Sequence, residues 1–265
     1  MTRWIAGGLA LGAIVALLML APAAWLVSVV EAASGGRFLL ADARGTIWTG
    51  SAVPVLAGGP GSRDASALPG RLRWQIRPDG LALLVQAQHA CCLNGTLALR
   101  VVPGFARVRV DVLPAERGES LGQWPASWLA GLGTPWNTLQ PSGSLLLRTA
   151  GLAVERVGGQ WRLAGRADLE LNAFASRIST LDVLGSYRLT LAGDAAGAAP
   201  ASLTLATTSG PLQLSGSGQL LGAGASQALR FRGVASAAPG SEAVLNNLLN
   251  IIGRRQGAQA VISIG

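Results

Sequence analysis

From Trp4 to Val30 no charged residue interrupts the chain, and from Glu31 onward the pattern changes to short runs of alternating polarity broken by Gly, Pro and Asn. The first region is longer than the ~20 residues a helix needs to cross a bilayer, and Trp4 and Trp25 would stand about 31 Å apart on such a helix, close to the hydrocarbon thickness. Arg3 precedes the run and Glu31 follows it, which predicts a cytoplasmic N-terminus with the remainder on the far side of the membrane. Ala21-Pro22-Ala23 also offers the small residues of a signal-peptidase site. A cleaved signal normally has an apolar core of about 7–15 residues, whereas here the apolar sequence continues through Trp25-Leu26-Val27, which favours an uncleaved anchor. Residues 1–31 therefore read as a cytoplasmic stub and transmembrane anchor, and 32–265 as one exported domain.

In that domain Arg71-Leu72-Arg73-Trp74-Gln75-Ile76-Arg77 alternates strictly, and Pro78-Asp79-Gly80 supplies a turn into a second strand over 81–88. The same style predicts strands over 95–102, 107–113, 143–148, 160–163, 168–171, 186–191, 202–207, 211–215 and 228–234. Two segments depart from it. Gln123 to Leu129 has Pro125 where a helix can begin and Gly131 where it can end, which predicts one or two helical turns at a corner. Ser241 can cap a helix with Glu242 in its first turn, an apolar stripe of Val244, Leu245, Leu248, Leu249 and Ile252, and a stop at Gly253. The fold class is mainly β: an N-terminal transmembrane helix, then a single antiparallel β-rich domain, layered or open-grooved, with a short C-terminal amphipathic helix.

Composition narrows the partners. The 21 basic residues are all Arg against 13 acidic ones, a net charge of +8. They are scattered singly along the strands, without the stripe and aromatic platforms of a nucleic-acid surface, so no nucleic acid is expected. The absence of Lys removes the phosphate-gripping residue of a P-loop, and no nucleotide is expected. Half the residues are hydrophobic, too many for a disordered chain.

The run Gly45-Thr46-Ile47-Trp48-Thr49-Gly50 behind the apolar segment, Leu72-Arg73-Trp74 opening a hairpin, Leu184-Gly185-Ser186-Tyr187-Arg188-Leu189, Ser209-Gly210-Pro211-Leu212 and the closing Leu245 to Gly253 resemble type II secretion system protein N of Gram-negative bacteria. The resemblance implies a single-pass inner-membrane subunit with a periplasmic β-domain, non-enzymatic, supporting export of folded proteins through an outer-membrane secretin. Its implied partners are the inner membrane and other platform or secretin-associated subunits. Motifs of the Gly45–Gly50 kind also occur in anchored periplasmic proteins with an open β-groove, so a lipid carrier or envelope-biogenesis protein is the alternative, with lipid as its partner.

No reaction is visible in these residues, and no catalytic, cofactor-binding or metal residue is assigned. Gly118-Glu119-Ser120-Leu121-Gly122 matches G-x-S-x-G formally, but the sole histidine precedes it and no strand-to-helix turn is predicted there. His89-Ala90-Cys91-Cys92 groups three donors suited to zinc or copper, one short of a structural zinc site. In an oxidising compartment the two cysteines are a neighbouring-pair disulfide, intermolecular bridges or buried thiols. Trp48 is expected to pack inward and Tyr187 to be a buried ring with a bonded hydroxyl.

Overall fold

The alternating runs assemble into one antiparallel sheet of sixteen strands. The computed structural model describes residues 9, 12, 13, 15–114, 120–194, 199–223 and 226–265, with backbone alone over 221–223 and 226–228. The first strands are β1 (Phe38–Gly45), β2 (Thr49–Ala57), β3 (Ala65–Ala67), β4 (Leu72–Asp79), β5 (Ala82–His89), β6 (Thr96–Gly104), β7 (Arg107–Val112) and β8 (Gly122–Pro125). They are followed by β9 (Pro141–Val157), β10 (Gln160–Ser176), β11 (Gly185–Gly193), β12 (Ala201–Ser209), β13 (Leu212–Ala223), β14 (Ser226–Ala237), β15 (Arg254–Gln256) and β16 (Gln259–Ile264). Consecutive strands are neighbours almost throughout; β3 pairs beside β4 on β2, β8 pairs on β9, and β15 lies beyond β16 at the far edge.

Register gives the sheet two unlike faces, because directly opposed residues point the same way. Ile76, Val85, Leu99, Val112 and Leu152 form one cross-strand row, and Leu147, Leu169, Leu189 and Leu205 form another. The opposite face carries Arg100 beside Asp111, then Arg109, Glu155 and Arg162, and farther along Asp168, Thr190, Thr204 and Ser217. Some of its ion pairs cross strands, Arg100 to Asp79 at 3.2 Å and Arg188 to Glu170 at 3.1 Å, and others lie along one strand, Arg109 to Asp111 and Arg166 to Asp168. Such exposed pairs are each worth about 0–1 kcal/mol, so they define the wet face more than they stabilise it.

The apolar face is covered at both flanks. Helix α1 (Ala23–Ser34) lays Leu26, Val27 and Val30 on Leu40, Ala52 and Trp74 of β1, β2 and β4. At the other flank α3 (Glu242–Ile252) buries Leu245, Leu248 and Leu249 against Leu184, Tyr187, Leu212 and Ala260. Ser241 precedes α3 but makes no side-chain cap bond, and Val244 of the predicted stripe is left exposed. Between the flanks a 3-10 helix (Ala126–Leu132) and the single turn α2 (Trp136–Leu139) follow β8, where Pro125 was expected to start a helix. Trp128 donates to the carbonyl of Ser66 in β3 at 2.9 Å, while Ser176 of β10 donates to the Leu139 carbonyl. β2 and β9 are five strand steps apart, about 24 Å across a flat sheet. A segment this short touches both because the sheet curls around it.

The N-terminal segment departs from the predicted span. Leu9, Gly12, Ala13 and 15–19 are helical, but the helix stops at Leu20 and restarts only after Pro22 as α1. Residues 23–31, assigned by their pattern to the anchor, thus pack on the sheet, and the boundary expected at 31 falls inside α1. Among the described residues no helix is long and apolar enough to cross a membrane; residues 1–8, 10, 11 and 14 of the predicted span lie outside them. The break has a cause. Pro22 has no N–H to continue a helix, and the Ala21 carbonyl is taken by the amide of Ile47 at 2.9 Å.

Leu249 is almost wholly buried where α3 meets the sheet. Leu249→Ala is expected to lower unfolding stability by about 2–5 kcal/mol, read from the urea midpoint of the purified protein.

Candidate functional site

The apolar face is more extensive than the elements that cover it. Leu83, Val101, Val110, Val154 and Leu163 lie opposite one another in the middle of the sheet, and all five are only partly buried. Next to them, where α2 and α3 approach β9–β13, the face deepens into a trough of about 370 Å³. Leu145, Leu169, Leu171, Leu189 and Leu205 form its floor, and Trp136 and Ile251 stand on its walls. All the lining side chains are aliphatic, proline or aromatic. The one hydroxyl, of Tyr187, donates to the Leu212 carbonyl at 3.0 Å, and burial raises its pKa well above the usual phenol range. Neither acid, base nor nucleophile lines the trough, so its geometry suits the burial of an apolar partner or chain rather than a reaction. Its volume lies in the ordinary range of ligand sites.

A second constellation sits where the N-terminal segment meets the sheet. The β1–β2 turn is Gly45 to Gly50, and it holds the segment through three contacts. Ile47 donates to Ala21, Pro22 bridges to Thr46, and the Trp48 indole donates to the Leu18 carbonyl at 2.8 Å. Trp48 therefore reaches outward to the segment instead of packing inward. The inward ring is Trp74, whose indole N–H is shared by the carbonyls of Thr46 and Ile47 at 3.3 and 3.1 Å. Gly45 has φ +90°, a torsion that favours glycine, and a Cβ on Gly50 would collide with the Trp74 ring. The motif is a clasp, with its glycines required by backbone geometry and by close approach of an indole. Below it Asp42 is held below the usual carboxylate range by the Arg71 guanidinium and then by Arg44.

The third is the β5–β6 turn. Cys91 and Cys92 form a disulfide between adjacent residues. The donor atoms of His89, Cys91 and Cys92 lie within 4.8 Å of one another, so the turn brings together the grouping read from the sequence. With both sulfurs bonded to each other neither is a thiolate, and in this state the imidazole is the one good metal donor. His89 is 5% exposed, both ring nitrogens lack a hydrogen-bond partner, and burial lowers its pKa. Gly118 and Glu119 of the G-x-S-x-G match lie outside the described residues. Ser120 is buried before β8, with its hydroxyl accepting from the Asn94 amide at 2.7 Å.

Sequence reasoning found the clasp by its residues but misplaced its tryptophan, because Trp48 lies in a turn between β1 and β2, where no alternation fixes the face a side chain takes. It left the trough undescribed, since its floor is assembled only when the four strands β9 to β12 lie side by side.

Gly50→Ala is expected to destabilise the protein by about 1–3 kcal/mol by displacing Trp74, read as a lower thermal midpoint with altered near-ultraviolet dichroism. His89 adds a pH dependence. Its folded pKa lies below the unfolded value, so the unfolded chain binds the extra proton in that window, and stability falls as pH drops below about 6.5. In His89→Phe that part of the acid-side slope in urea midpoint should disappear.

Residues 37–263 match a family model described as type II secretion system (T2SS), protein N. Neither a curated protein nor a solved structure matches the chain.

Proposed function

The chain belongs to the type II secretion system protein N family, and from that premise we propose that it is a non-enzymatic subunit of the secretion apparatus, held at the inner membrane by its N-terminal apolar segment. The observation that carries this reading is the family match across nearly the whole β-rich region. The anchor is the part of the apolar run before Pro22, and the periplasmic domain begins with α1, which packs on the sheet. The domain works by assembly: the clasp fixes the sheet against the segment, and the uncovered middle of the apolar face offers neighbouring subunits a surface to bury.

A second reading has a specific observation in its favour. An elongated, one-sidedly apolar sheet with a partly open trough is the form that lipid carriage requires, and the trough contains nothing polar that an aliphatic chain would leave unpaired. In that reading the same face takes an acyl chain in place of a subunit.

Deletion of the chain from a secreting strain separates the two. Assembly predicts that folded substrates accumulate in the periplasm and that the protein co-purifies with other secretion subunits. If secretion is normal without it while the purified protein carries stoichiometric extractable lipid, lipid carriage replaces assembly. Val101→Asp, on the open face, is expected to leave the protein folded and to reduce secretion at least several-fold, measured as the periplasmic share of a secreted substrate.

A further inference from the structure

Hairpins of a meander turn alternately at its two ends, so the clasp at 45–50, the β4–β5 turn at Gly80-Leu81 and the β6–β7 turn at Phe105-Ala106 follow one another along the same end of the sheet. Asp79 pairs with Ala82 and Gly104 with Arg107, which puts Leu81 and Phe105 at the apices of two-residue turns. Their exposures, 94% and 104%, are those of side chains that none of the described residues covers. Such apices are ordinarily Gly, Asn or Asp. One exposed apolar side chain would need no explanation, but here two stand at successive apices, on the end where the apolar N-terminal segment meets the sheet.

Behind the apices the ends of the strands are cationic. Arg77, Arg100, Arg107, Arg109, Arg156 and Arg162 are all exposed there. Three acids accompany them, Asp79, Asp111 and Glu155, paired with Arg100, Arg109 and Arg107. Among the described residues Arg77, Arg156 and Arg162 have no acidic partner, so the collar carries a net +3, six cations less three anions. Bulky apolar tips ahead of a guanidinium collar match the layering of an anionic bilayer surface. The tips enter the headgroup and acyl boundary, and the cations meet lipid phosphates. The apices project singly from separate turns, so they offer a protein partner no continuous surface, whereas a bilayer requires none.

We propose that this end of the sheet rests on an anionic phospholipid bilayer, with Leu81 and Phe105 inserted and the arginine collar on the headgroup phosphates. The inference builds on the reading of the N-terminal segment as the anchor. It would hold the sheet against the membrane, in place of leaving it to swing from a tether.

The test uses the full chain reconstituted in vesicles of phosphatidylglycerol with phosphatidylethanolamine, or of phosphatidylcholine alone. An environment-sensitive fluorophore is placed on Phe105→Cys or, at the opposite end of the sheet, on Thr180→Cys; the native cysteines are bonded to each other and do not compete for label. The expected result is a blue-shifted emission for Phe105→Cys in the anionic vesicles, at least halved by 0.5 M NaCl or by adding Leu81→Asp, with no shift for Thr180→Cys. Identical spectra at the two positions would overturn the proposal, as would an equal shift in phosphatidylcholine, or a shift at 105 that requires an added secretion subunit. Alkaline extraction of the same vesicles keeps the two readings apart. Protein that resists extraction while the 105 probe stays in water leaves the anchor standing and removes the docking inference, whereas release by alkali removes the anchor itself.

Discussion

Everything in this structure follows from a sheet that is apolar on one face only. Sixteen antiparallel strands present a continuous band of Leu, Val and aromatic side chains on one side and Arg, Asp, Thr and Ser on the other. An apolar face exposed to water is unfavourable by about 25 cal/mol per Å² relative to a covered one, so each added strand lengthens the area that must be buried. The chain meets this with three short coverings: α1, the 126–139 bridge and α3. Curling the sheet around the bridge reduces the exposed area further. What remains open is the middle of the face and the trough beside α3.

The clasp belongs to the same constraint. α1 can cover β1, β2 and β4 only if the preceding apolar segment is turned away at Pro22, and the Gly45–Gly50 turn performs that redirection by bonding Leu18, Ala21 and Pro22. Gly50 lets Trp74 pack under the turn, and Trp74 in turn supports the turn's carbonyls. The Gly45–Gly50 motif is therefore a joint between an apolar segment and a sheet. The disulfide at the β5–β6 turn and the buried His89 beside it lie at the other end of the strands, away from this joint.

Much of the strand pattern was legible because one face is buried and the other wet, which is the condition under which alternation carries information. β4, β5, β6 and β7 fall where the pattern places them. Elsewhere the signal failed for identifiable reasons. The alternation of β1 is broken by a bulge at Asp42, whose φ is +48°, so no strand was expected there. β10 was read as two strands because Gly165 resembles a turn residue, yet the ladder runs through it with a shift of register. β13 extends past Gly216 and Gly218, since glycine there leaves room for Phe231 on the neighbouring strand. The apolar run before Glu31 was read as one helix because hydropathy does not distinguish a membrane from a protein face; Pro22 was the residue that marked the division. The family was legible from turn and strand motifs, but the trough was not, since it exists only once β9 to β13 are side by side.

The central claim is that the uncovered middle of the apolar face is occupied by another molecule in the working apparatus. The most direct measurement places a photo-crosslinking residue at Val101, on that face, and at Arg100, on the polar face of the same strand, in secreting cells. Occupancy predicts a discrete adduct at 101, with a secretion subunit under the assembly reading or with lipid under the alternative, and none of that product at 100. No adduct at 101 with either protein or lipid, in cells that secrete normally, would contradict it.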